Sequence, residues 1–144
     1  MGKVNLELTE SQYKKLIELV YLGNWMVNAH RNVEIDSYRQ VENAVFSKYE
    51  QAGLKEDINY YEVPEEVYEF NENYQEKVHK FIKEYEDFNF WQELTYRLAN
   101  RDLLRELGPV NKLDQDALEK RGKFAEQYED EFIKNGLKNI KLDN

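Results

Sequence analysis

The amino-acid sequence predicts an all-α fold: a single five-helix bundle with at most a small two-stranded pairing of the N- and C-terminal segments. Two observations carry that expectation. Apolar residues recur at three- and four-residue spacing through most of the 144 residues, and helix-start and helix-stop signals punctuate the chain at intervals that suit ordinary helices. No internal repeat, low-complexity tract or linker composition interrupts the pattern, so residues 1–144 read as one helical domain.

Each element has its own warrant. Val4, Leu6 and Leu8 alternate with polar residues, a short strand pattern. Thr9 with Gln12 three residues later forms a capping box, in which each side chain satisfies a backbone N–H of the first turn. The first helix then runs from Glu10 to His30. Its second half, Leu19 to Ala29, is apolar on nearly every side, as in a helix surrounded by others. A second helix spans Ser37 to Ala52 and is closed by Gly53, whose left-handed conformation ends helices, followed by the hydrophobic contact of Leu54. Pro64 pre-sets the first turn of a third helix, on which Val67, Phe70, Tyr74, Val78, Phe81 and Tyr85 fall within about 80° of one another. A fourth helix starts near Asn89 and stops before Gly108-Pro109, and a fifth runs from Asp114 to Asn135-Gly136. Leu137, Ile140 and Leu142 are the residues offered to the N-terminal strand.

Composition excludes several kinds of function. The chain holds no cysteine, which rules out disulfides, a thiolate zinc site and a cysteine nucleophile, and points to a reducing, cytoplasmic setting. No apolar run reaches the ~20 residues of a membrane span, so no membrane partner is expected. A net charge of −9 argues against nucleic acid. That charge is local. Between Glu56 and Glu76 stand eight acids and no lysine or arginine, and the segment from Glu56 to Glu93 carries the whole imbalance.

Two surfaces compete as the functional one. The first is the acidic segment, where Tyr60, Tyr61 and Tyr68 interleave with Glu65, Glu66 and Glu69. Concentrated negative charge steers a basic partner, and tyrosines anchor it, so this region predicts a non-enzymatic protein-interaction module or self-association. The second is a polar cluster. Asn24, Asn28, His30 and Arg31 continue the apolar line of the first helix, and Arg97, Arg101 and Asp102 continue that of the fourth. Facing each other, they would hold an anionic small ligand, as a binding protein or an enzyme. Gly23 beside them would admit a close approach.

Catalytic and metal signals are weak. None of the three serines and two threonines sits in a nucleophile elbow; His30 and Glu34 have i,i+4 spacing, but the helix is expected to fray there, so no metal pair is expected, and His79 reads as solvent-facing. No catalytic residue, metal or cofactor is expected. Glu65-Glu66-Val67-Tyr68-Glu69 and Glu84-Tyr85-Glu86-Asp87 superficially match the acids that all-α nucleotide pyrophosphatases of the MazG kind place around magnesium. Unbroken helical periodicity would hold the two groups about 22 Å apart on one straight helix, too far to share an ion, unless that helix broke near Asn71-Glu72-Asn73.

Overall fold

Residues 2–109 and 112–142 are described by a computed structural model of the chain. The elements run α1 (Glu10–Asn28), α2 (Asp36–Phe46), a 3₁₀ turn (Tyr49–Ala52), β1 (Ile58–Tyr61), β2 (Val67–Phe70), α3 (Glu72–Leu107) and α4 (Gln115–Asn135). The chain is mostly helical, as expected, but the five-helix bundle is not formed. Among the described residues there are four α-helices and a two-stranded antiparallel sheet. They gather into two compact units, residues 1–82 and 83–144, with the boundary inside α3.

Four of the predicted elements are changed in the structure. The helix expected from Pro64 is instead a β-hairpin, pairing Ile58 with Phe70, Tyr60 with Tyr68 and Tyr61 with Val67. Val67 and Phe70 stand at helical spacing from Tyr74, but the aromatic and β-branched run Val67–Phe70 also fits a strand, and its pairing with Ile58–Tyr61 decides between the two periods. The third and fourth predicted helices are one continuous helix, α3, because nothing between Glu72 and Leu107 is a glycine or proline and Asn89 alone does not break a helix. Among the described residues the expected terminal pairing is absent: residues 2–9 form no strand, with Val4 almost fully exposed, and residues 136–139 form a turn. The second helix is also shorter than expected. Ser47 turns its hydroxyl onto the Ala44 carbonyl at 2.8 Å, a local bond that competes with helix continuation, and a 3₁₀ turn follows.

Other signals are found where the sequence puts them. Thr9 and Gln12 form the capping box at the start of α1. Gly53 adopts φ 67° and is followed by the buried Leu54, whose N–H returns to the Tyr49 carbonyl at 3.1 Å. Asp114 caps α4 by accepting from the Ala117 N–H at 2.8 Å, and α4 ends at Asn135.

The core of the first unit is Ile17 of α1, Phe46 of α2, Ala52, Leu54, Ile58, Phe70 and Val78 of α3. Phe70 is its aromatic centre, with ring centroids 4.9 Å from Phe46, 5.1 Å from Tyr21 and 4.5 Å from Tyr74. Tyr13 ties α1 to α2 by donating to the Val45 carbonyl at 2.7 Å, and burial pushes its hydroxyl up to about 12, partly opposed by a backbone hydrogen bond at Lys48. The apolar second half of α1 is covered on one side only: Leu19 and Met26 remain exposed, and a Cβ at Gly23 would meet nothing within 4 Å.

In the second unit α4 runs back along the later turns of α3, burying Ala99, Leu103, Ala117 and Phe132. Trp91 meets Phe132 at a 5.5 Å centroid distance, Arg121 lies 5.0 Å over the Tyr96 ring, and Lys120 pairs with Glu106.

Each unit carries one tryptophan, Trp25 or Trp91, which makes its stability separately readable. In a Trp91→Phe background, Phe46→Ala is expected to cost about 3–5 kcal/mol in urea unfolding followed through Trp25, since Phe46 is fully buried.

Candidate functional site

The hairpin owes its place to two asparagines. Asn71, between β2 and α3, accepts the Tyr74 N–H on its side-chain oxygen at 2.8 Å and so caps the start of α3. Its side-chain nitrogen donates to the Glu56 carbonyl at 2.6 Å, and its backbone N–H to the Asp57 carbonyl at 2.8 Å. Asn43 of α2 donates to the Glu66 carbonyl at 2.9 Å and accepts the Tyr68 N–H at 3.4 Å. One side-chain amide thereby occupies the outer edge of β2 with the donor and acceptor that a neighbouring strand would bring.

On this frame the tyrosines form a row. Tyr60 and Tyr68 stack at 4.9 Å with 29° between planes, and Tyr49 lies 5.9 Å from Tyr68. Tyr60 donates to Glu66 Oε1 at 3.2 Å. Lost hydration, and then this bond, raise the Tyr60 hydroxyl above the ordinary tyrosine value; lost hydration raises Tyr68 likewise. Tyr60 and Tyr61 are exposed at 42% and 49%, Glu65, Glu66 and Glu69 are exposed, and Tyr68 is half-buried. A recess of about 310 Å³ beside the row is lined by Ser47, Lys48, Tyr49, Glu50, Gln51, Tyr60 and Tyr68. Lys48 is the cation at this recess, and nearby Lys55 is paired with Glu50 at 3.5 Å. Tyr49 and Asn43 are members of the site that the sequence reading missed. Tyr49 falls inside the predicted second helix, Ser37 to Ala52, and nothing local marks Asn43 as a strand-edge partner.

The residues of the polar-cluster reading divide between the two units. In the first, Asn24 donates to Glu42, and Asn28 donates to Asn24 Oδ1 at 2.7 Å while accepting the Ile35 N–H at 2.8 Å. Arg31 donates to the Val27 carbonyl at 2.8 Å, and His30 is exposed. Asn24 and Glu42 line a cleft of about 350 Å³ with Tyr21, Arg39, Asn43 and Glu69. His79 is half-buried rather than fully solvent-facing, and its Nε2 lies 2.6 Å from the Tyr21 hydroxyl. In the second unit Arg97 pairs with Glu93 at 3.0 Å on the surface, and Arg101 contacts Asp102 at 2.8 Å and the Tyr128 hydroxyl at 2.9 Å. Tyr128 also donates to Asp102.

The two groups of acids do not share one straight helix, since Val67–Phe70 is a strand and the helix begins at Glu72. Among the described residues, however, no three His, Asp or Glu side chains lie close enough together to hold a metal ion. No helix is long and apolar enough to cross a membrane. In comparisons with known proteins, no family model, no curated protein and no solved structure matches the chain.

Two carboxylates give opposite pH dependences. The bonds from Arg101 and Tyr128, with Arg105 nearby, hold Asp102 below its ordinary 3.8, against a smaller opposing effect of burial. Asp102 therefore contributes stability at pH values above the ordinary aspartate range, and that contribution is lost as pH falls through the lowered value. Burial pushes Glu42 above 4.5, partly opposed by the Asn24 bond and Arg39, so the fold favours its neutral form and loses that stabilisation as pH rises from 4.5 through the raised value. Glu42→Gln keeps an acceptor for Asn24. It is expected to stabilise the first unit at pH 7 and to remove this pH slope, read through Trp25. Asp102→Asn is expected to destabilise the second unit at pH 7 and to flatten its acid unfolding, read through Trp91 in a Trp25→Phe background.

Proposed function

We propose that this chain is a non-enzymatic interaction module whose β1–β2 hairpin receives a basic segment of another protein. The observation that carries the reading is the stacked pair Tyr60 and Tyr68, with Tyr49 tilted against Tyr68, beside Glu66 of a stretch that has eight acids and no base. Aromatic faces attract ammonium and guanidinium groups through the ring quadrupole, and fixed carboxylates draw them in over a longer range. Tyrosine also supplies contact area with little rotamer freedom to lose. A cytoplasmic setting belongs to the same reading, on the absence of cysteine alone.

We prefer this to an anionic-ligand site because Asn24, Asn28 and Arg101 are each already hydrogen-bonded within their own unit. A row of tyrosines beside carboxylates also has the wrong polarity for an anion.

The test is titration of a peptide of alternating threonine and lysine, followed by calorimetry at low and high salt. Binding is expected at low salt and is expected to weaken about tenfold or more at high salt. Tyr60→Ala should cost about 1 kcal/mol of binding, while the triple change Glu62→Lys, Glu65→Lys and Glu66→Lys should abolish it. Unchanged affinity in the triple variant would sink the proposal.

A further inference from the structure

The two edges of the hairpin are not equivalent, and the difference indicates how a basic segment would bind. In an antiparallel pair, residues alternate between those whose backbone groups face the partner strand and those whose groups face outward. Asn71 N–H reaches the Asp57 carbonyl, so the inward-facing pairs that follow are Asn59 with Glu69 and Tyr61 with Val67. Tyr60 and Tyr68 form the outward-facing pair between them, which accounts for the close stacking of their rings. On the β2 side, the outward Tyr68 N–H and Glu66 carbonyl are occupied by the Asn43 amide. On the β1 side, the Ile58 N–H is taken by the Leu54 carbonyl at 3.1 Å, and among the described residues no side chain covers the outward peptide groups of Tyr60.

Apart from its shortness, strand β1 carries none of the residues that usually protect an exposed edge. Its sequence, Ile-Asn-Tyr-Tyr, has no lysine, proline, glycine or other charged residue to repel an incoming strand. Its shortness limits pairing to a few residues. From Glu56 to Glu66 the charges that flank it, Glu56, Asp57, Glu62, Glu65 and Glu66, are all negative; of the nearby cations, Lys55 is paired with Glu50 and Lys48 lies at the recess beside Tyr60 and Tyr68.

We propose that the outer edge of β1 accepts the basic segment in extended form as a third, antiparallel strand, with a lysine or arginine opposite Tyr60. This rests on the reading of the hairpin as the binding surface and adds the mode of binding. Side chains opposite one another on neighbouring strands lie about 4.5–5.5 Å apart at Cβ. A cation at that position stands beside the Tyr60 ring on the face that carries Tyr68, with the Glu66 carboxylate, already hydrogen-bonded to Tyr60, as its counter-ion. Its own N–H and C=O meet the outward groups of Tyr60. Backbone pairing then supplies affinity, and the alternate side chain supplies the preference for a base.

Two backbone-methylated forms of the threonine–lysine peptide test this on the unaltered protein. The residue opposite Tyr60 turns its N–H toward β1, and its neighbours turn theirs to solvent. Methylating the lysine amides is therefore expected to weaken binding about tenfold or more, through loss of two or three hydrogen bonds. Methylating the threonine amides should leave binding within about twofold of the parent. Hydrogen exchange at the Tyr60 amide should slow in the complex with the parent peptide. Equal affinity of the two methylated peptides, or the reverse order, overturns strand addition while leaving an acidic docking surface intact. If even the unmodified peptide does not bind, the surface reading falls, and strand addition with it.

Discussion

A two-stranded sheet is marginal in water, because too few of its backbone groups are paired and too little apolar surface is covered. In this protein the shortfall is met by asparagine side chains. Asn71 joins the start of β1 to the first turn of α3, and Asn43 closes β2 from the side of α2. Ile58 and Phe70 then fix the inner end of the hairpin in the core, with Phe70 touching rings from α1, α2 and α3. The position of the tyrosine row depends on these contacts. Without Asn43 the Tyr68 N–H and the Glu66 carbonyl would both turn to water, and the strand that carries Tyr68 would lose its tie to α2.

Much of the fold was legible wherever one residue decides a boundary. Thr9 with Gln12, Gly53, Gly108-Pro109, Asp114 and Asn135-Gly136 each act through their own backbone or side-chain geometry, and each marks an observed helix end. The hairpin was not legible, for a reason of spacing. Val67, Phe70 and Tyr74 are three and four residues apart, which continues smoothly into the real helix that follows. The competing period-two signal spans only four residues on each strand. Asn71 is the decisive residue, yet its role appears only once the Glu56 and Asp57 carbonyls are brought to it. The join of the third and fourth predicted helices shows the converse error, a possible cap at Asn89 that the chain does not use.

The candidate surface was legible in part. Local charge and the named tyrosines were read directly from the sequence, and the structure stacks Tyr60 on Tyr68. Tyr49 joins them from a different element, and no spacing rule links residues 49 and 68. The polar run at the end of α1 was legible as a place where amides need partners. Those partners, Glu42 and the Ile35 N–H, come from the following loop and helix, which spacing alone does not bring near. The negative charge also has a structural side. Its carboxylates stand on a hairpin and at the N-terminus of α3, where the helix dipole favours acids, so the segment tolerates a density of like charge that would be costly elsewhere.

The asymmetry of the hairpin has a consequence for assembly. Sheets that are open on both sides can recruit strands without end, which is how fibres grow. Here the Asn43 amide fills one side, so a chain joined through β1 offers no second edge on the far side of β2. Two hairpins meeting through their β1 edges would make a four-stranded sheet with both ends stopped by asparagine. The same side chain that steadies a small sheet thus acts as a terminator of polymerisation.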